Sequence, residues 1–166
     1  MKDLYAVLGM IIAAIALGSF LFFFGPESFR ESAGLTGGKE ISFRVLREGQ
    51  DAHTVDQRVN YRIENPTKLS ELWGYLDVTP GAAPGVDFSK NEVLAVFDGS
   101  HSSGGYRIEV SHITEEAGKR MVHVTRIVPA EGCITNSAIT SPYQVVVVKK
   151  SALPLGHMDE VITEGC

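Results

Sequence analysis

The sequence predicts an α+β fold, predominantly antiparallel β with about six strands in a sandwich- or barrel-like sheet, one packed amphipathic helix, and a separate N-terminal transmembrane helix. Three observations carry this. Residues 4–24, LYAVLGMIIAAIALGSFLFFF, hold no charge. Beyond residue 40, short segments alternate apolar with polar residues or run continuously apolar, the two signatures of strands. A single stretch there, NPTKLSELWGYLD, repeats its apolar residues at helical spacing.

Residues 4–24 as a helix would span about 31 Å, the thickness of a bilayer's hydrocarbon core. A cleavable signal peptide would have a shorter apolar core ending in small residues, whereas this run ends FLFFFGPE. No cysteine follows to take a lipid anchor. Membrane lipid is therefore the expected partner of residues 4–24, with 1–26 as the anchor. Flanking charge is almost silent on orientation, because Lys2 stands beside Asp3 and Arg30 between Glu27 and Glu31. The expectation is a single-pass protein of the cell membrane, N-terminus in the cytoplasm and domain outside, as is usual for an uncleaved N-terminal anchor.

Residues 27–39 are rich in Gly, Ser and Glu without sustained periodicity and read as a flexible tether, leaving 40–166 as the folded domain. In ISFRVLR, Ile41, Phe43 and Val45 alternate with Ser42 and Arg44, and Leu46 breaks the pattern. QRVNYRIE alternates Val59, Tyr61 and Ile63 with Arg58, Asn60 and Arg62. The helix has Asn65 as N-cap, Pro66 at its first position, and Leu69, Leu72, Trp73 and Leu76 as its buried stripe; Gly74 weakens it by about 1 kcal/mol unless the helix ends there. EVLAVFD, after a Gly/Pro loop, reads as a strand buried on both faces, and YQVVVVKK is a further strand. GYRIEVSHITEE and KRMVHVTRIVP read as a hairpin turning at Ala117-Gly118.

Of 166 residues, 15 are Lys or Arg and 20 Asp or Glu, a net charge of −5. Leaving out the anchor removes one base and one acid, so the domain stays acidic, a poor match to nucleic acid, which is not an expected partner. Cys133 and Cys166 could close a loop worth about 3–4 kcal/mol, in an oxidising compartment only; two unrelated thiols are the alternative. A disulfide is the expectation.

The stretch GSHSSGGYRIEV raises the question of catalysis, since His101 precedes Ser102 and Ser103. A hydrolase elbow needs a strand, a sharp turn exposing the serine and then a helix, whereas this segment passes from strand to strand. Gly104 and Gly105 then supply positive φ or close backbone approach, and Tyr106 begins the next strand's inward face. His53, His112, His123 and His157 lack metal-ligand spacing, and Asp77, Asp87 and Asp98 are spread singly. The expectation is a noncatalytic domain with no metal and no cofactor.

Taken in order, LWGYL, VDFSKNEVLAVFDGSHSSGGYRIEV and CITNSAITSPYQVVVVKK resemble the C-terminal domain of the PrcB family of protease-complex subunits, over roughly residues 40 to 150. The resemblance rests on Asp-Phe before a strand, a loop ending Gly-Gly-Tyr, and Ser/Thr-Pro-Tyr ahead of a valine-rich strand. It implies a noncatalytic, extracytoplasmic domain whose partner is an envelope protein such as a protease, here on a transmembrane helix where the founding member is a lipoprotein. It suggests His101, Ser102, Ser103, Gly104, Gly105 and Tyr106, with Thr140, Ser141, Pro142 and Tyr143, as framework or contact residues. A small-molecule or glycan binding domain is the rival expectation, with an aromatic pocket near Trp73, Tyr75 and Tyr106. A weaker rival is a hydrolase using Ser102 or Ser103 with His101.

Overall fold

The computed structural model describes residues 38–76 and 82–165. The expected transmembrane helix and nearly all of the expected tether lie outside the described residues. Chain contacts separate residues 1–39 from 40–166, and the second unit is described here, with Lys39 as the first strand residue. Among the described residues no helix is long and apolar enough to cross a membrane.

Eight strands and one helix follow in the order β1 (Lys39–Glu40), β2 (Phe43–Gly49), β3 (Val59–Ile63), α1 (Pro66–Tyr75), β4 (Asn91–Phe97), β5 (Arg107–Glu116), β6 (Lys119–Pro129), β7 (Tyr143–Lys149) and β8 (Leu155–Glu164). They form two four-stranded sheets, β1-β5-β6-β8 and β2-β7-β4-β3. The expected sandwich is present, but about six strands become eight. The main one missed is β8, whose sequence LGHMDEVITE shows no buried face because most of it is exposed.

β4 and β7 are the centre of the molecule. Val93, Ala95, Phe97, Tyr143 and Val145 pack with Leu69, Leu72, Trp73 and Leu76 of the α1 region. The alternate residues Leu94, Val96, Val146 and Val148 pack with Ile108, Val110, Ile113, Val122 and Val124 of the other sheet. Alternation of side chains across a strand thus turns two continuous apolar runs into the middle layer of a sheet–sheet–helix stack. In α1, Asn65 Oδ1 accepts from Lys68 N at 2.9 Å and Pro66 is the first helical residue. Gly74 stands one residue before the helix ends.

Two breaks in alternation are β-bulges. In β2 the register against β7 slips between Val45 and Arg47. Leu46 then joins the helix-side core, while Arg47 is turned to the same side, 5.8 Å from the Trp73 ring centroid and donating to Tyr143 Oη at 2.9 Å. In β5 the slip between Val110 and His112 leaves Ser111 exposed and His112 half-buried before Ile113 returns to the core.

The sheets are antiparallel throughout the described pairings except β6 with β8, which is parallel from Arg120↔Leu155 to Pro129↔Glu164. Parallel neighbours need a crossover, and β7 in the opposite sheet supplies the return run. That end of the sandwich also carries buried charge. Glu92 accepts from Arg120 at 2.6 Å and from Arg62 at 2.7 Å; Arg120 further donates to Glu115 and to the Lys149 carbonyl, and Arg62 to the carbonyls of Ser151 and Leu153.

The β5–β6 hairpin turns at Ala117 and Gly118, with φ of 48° and 71°. Both central residues are in the left-handed region, as a type I′ turn requires, and alanine is poorly suited to it. Ala117→Asn is expected to stabilise the protein by about 0.5–1 kcal/mol, seen as a higher urea midpoint with unchanged slope.

Candidate functional site

The loops 50–58, 98–106 and 130–142 gather at one end of the sandwich, and backbone hydrogen bonds tie them together. His101 and Thr140 exchange N–H···O bonds of 2.8 and 3.0 Å, Ser141 N donates to Gln50 O at 2.8 Å, Asp98 N to Pro142 O at 2.9 Å, and Ser100 N to Asp56 O at 3.2 Å. Side chains add to this. Thr140 Oγ1 donates to Ser103 O at 2.8 Å and Ser141 Oγ to Val55 O at 3.3 Å. The two segments singled out from sequence, His101 to Tyr106 and Thr140 to Tyr143, are therefore neighbours.

They differ in role. Thr140, Ser141, Pro142 and Tyr143 are all buried and form the underside of the platform. Burial pushes the Tyr143 phenol above its usual pKa, against the opposing pull of its bond from Arg47. In the first segment Ser102 and Gly105 are exposed, with His101, Ser103 and Tyr106 half-buried. Gly105 has φ of 92°, and Gly104 lies against the Asn136 side chain and donates its N–H to Asn136 O at 3.0 Å. One glycine supplies each of the two expected properties.

Asp98 organises this segment. Its carboxylate is inaccessible to solvent, meets His101 Nε2 at 2.7 Å, and accepts from Arg126 Nε on β6. The His101 ring in turn stacks on Tyr106 with centroids 3.8 Å apart and planes 7° from parallel. Asp98 reads from the sequence as an isolated acid; the structure makes it the anchor of the loop. Among the described residues neither Ser102 nor Ser103 bonds the imidazole, and Ser103 Oγ instead approaches Gly104 O at 3.5 Å. The arrangement presents a braced imidazole and a stacked tyrosine, suited to holding a surface in shape.

The aromatic residues named for a ligand pocket do not converge. Trp73 is buried in the helix-side core, Tyr106 stands in the loop platform, and Tyr75 is exposed on a cleft of about 450 Å³ that Tyr61, Arg62, Lys68 and Glu71 also line. The disulfide expectation has one partner, Cys166, outside the described residues. Within them, Ala130 N donates to Glu164 O at 2.9 Å and Cys133 N to Ala130 O at 3.1 Å, so the end of β8 lies beside the turn that carries Cys133.

Among the described residues no group of three or more His, Cys, Asp or Glu could hold a metal ion. His112 and His123 are register partners and stack with centroids 3.8 Å apart. Burial first, and then the neighbouring His112, hold His123 below the usual imidazole value of 6.5, with Glu116 opposing. The folded state then binds this proton less readily than the unfolded chain. Its stability is full above pH 6.5 and falls as pH drops below that value, until the folded group also protonates. Urea midpoints measured across this range should show the decline, and His112→Asn should make it shallower.

A comparison with protein-family models gives one match, over residues 93–149, to the model described as PrcB C-terminal. Over these residues the chain is similar to the PrcB C-terminal family. No curated protein and no solved structure matches the chain. The matched segment runs from β4 to β7 and contains Asp98, the His101–Tyr106 loop and Thr140–Tyr143. It leaves out β1, β2, β3, α1 and β8, so the loop platform lies within the matched region apart from its 50–58 side.

Proposed function

We propose that this chain is a membrane-anchored, extracytoplasmic and noncatalytic protein-interaction domain that stabilises or assembles an envelope complex, such as one built around a protease. The PrcB C-terminal match supports association with a protease complex. The observation that carries the reading is the placement of the loop platform. Ile41 N bonds Ile113 O at 2.8 Å, so the chain enters the domain there, while the 98–106 loop joins β5 at Arg107. Six residues of strand separate the two, about 20 Å at roughly 3.4 Å per residue. The braced loops thus occupy the end of the domain away from the entering chain. A Cys133–Cys166 bond, formed outside the cytoplasm, would hold the C-terminus beside this end.

The test is crosslinking of the full-length protein in membranes, with and without Ser102→Arg in the exposed part of the platform. Recovery of one envelope protein that Ser102→Arg loses, at unchanged melting temperature, is the expected result. Recovery that ignores the loop change overturns the assignment to this surface, and turnover of an ester or peptide substrate that Ser102→Ala with Ser103→Ala abolishes overturns the noncatalytic reading. The glycan reading is favoured by one observation, the cleft that Tyr61 and Tyr75 share. Saccharide binding lost in Tyr61→Ala and Tyr75→Ala would decide for it.

A further inference from the structure

We infer that the outer edge of β8 is a docking site for an extended, basic and apolar strand of another protein, joined to the sheet by β-augmentation. β8 is a ten-residue strand at the end of the order β1-β5-β6-β8, paired on one side with β6. A strand of that length presents a ladder of backbone donors and acceptors, which proteins ordinarily shorten, cover or guard with lysine or proline. β8 carries neither residue.

Its side chains argue in the same direction. Met158, Val161 and Ile162 are 58%, 55% and 46% exposed, and with Ile134 and Ile139 of the loop 130–142 they make up most of the large exposed apolar residues among those described. The β6 register puts Val161 on the same face as the inward Val124 partner, Asp159, so it points toward the space between the sheets and still remains uncovered. Beside the first residues of β8 a cleft of about 380 Å³ opens over Leu94, Val96 and Val122. Exposed apolar side chains on both faces of β8 and the cleft thus lie along an edge that no strand pairs among the described residues.

Charge selects the occupant. The charged residues of β8 are Asp159, Glu160 and Glu164, with no Lys or Arg. Asp159 is held by Arg58 at 2.7 Å and Glu164 by Arg107 at 2.8 Å, while Glu160 makes no ion pair among the described residues. A second copy is a poor partner. Full-length antiparallel pairing of β8 with itself sets Asp159 opposite Glu160 twice, and in-register parallel pairing stacks each acid on its own copy, both unfavourable. An incoming strand with apolar residues opposite Met158, Val161 and Ile162 and basic residues opposite the acids meets neither objection.

The inference rests on the interaction-domain reading only for there being a partner at all. Its probe is the peptide Lys-Thr-Val-Val-Lys-Lys-Val-Thr-Thr-Val, which in antiparallel register sets lysines against Glu164, Glu160 and Asp159. Amide exchange of the full chain in detergent should slow along β8 when it is added. Met158→Lys with Ile162→Lys, both at exposed positions, should weaken binding about tenfold or more. Three results would overturn the proposal: no slowing along β8 at millimolar peptide, equal binding of the peptide with every lysine changed to glutamate, or slowing that appears with rising protein concentration alone, which would assign the edge to a second copy. If the loop change Ser102→Arg still loses the crosslinked protein while β8 stays unprotected, the interaction domain stands and only this edge fails.

Discussion

Glu92→Ala is expected to lower stability by about 3–5 kcal/mol, the largest effect of any single change at the charged end of the sandwich. The Glu92 side chain is inaccessible to solvent and neutralises Arg120, which is 2% exposed, and Arg62. Removing the acid leaves Arg120 buried with Glu115 as its remaining carboxylate. It also loosens Arg62, whose bonds to the carbonyls of Ser151 and Leu153 fix the connection into β8. Urea unfolding should show the loss, with a fall in Tm on the order of 10 °C. The double change Glu92→Met with Arg120→Met should cost less than the sum of the two single changes, because it leaves no unpaired arginine in the core. Additive losses would mean that the two side chains do not act as a pair.

Asp98→Ala is expected to cost about 2–4 kcal/mol and to act at the opposite end. It strips His101 and Arg126 of their shared acceptor while leaving the backbone bond from residue 98 to Pro142 in place. The distinguishing readout is local. Amide exchange should rise through residues 98–106 and along the bridge to Thr140 more than in the core strands, and crosslinking to an envelope protein should fall with it. Ser102→Ala, at an exposed residue without a bond to the imidazole, should change stability by less than about 0.5 kcal/mol. Equal effects from the two changes would remove Asp98 from its place as organiser of the loop.

How much of this was legible depends on the kind of signal each element carries. β4 and β7 announce themselves because burial on both faces demands the unbroken runs VLAVF and VVVV. Asn65 and Pro66 mark the helix start because capping chemistry is local. The break at Leu46 is visible in the sequence, but that it and the slip near Ser111 are bulges depends on the partner strand, β7 in one case and β6 in the other. β8 is hidden for the opposite reason: with most of its residues in solvent, nothing forces a pattern on it. Glu92 and Arg120 look like ordinary surface charges, since burial of an ion pair is a property of two distant segments meeting. Asp98 and His101 stand three residues apart, yet their contact depends on the turn between them and on Arg126 arriving from β6.

The parallel register of β6 with β8 has a consequence for how the chain reaches its native state. β8 cannot join β6 by a local turn; the intervening segment must first cross to the other sheet as β7. Since β8 is synthesised after β7, the long flank of β6 stays open until residues 155–164 have emerged. Closure by β8 is therefore a non-local event that waits on β7, and a chain stopped before Leu155 would display that flank permanently to its neighbours.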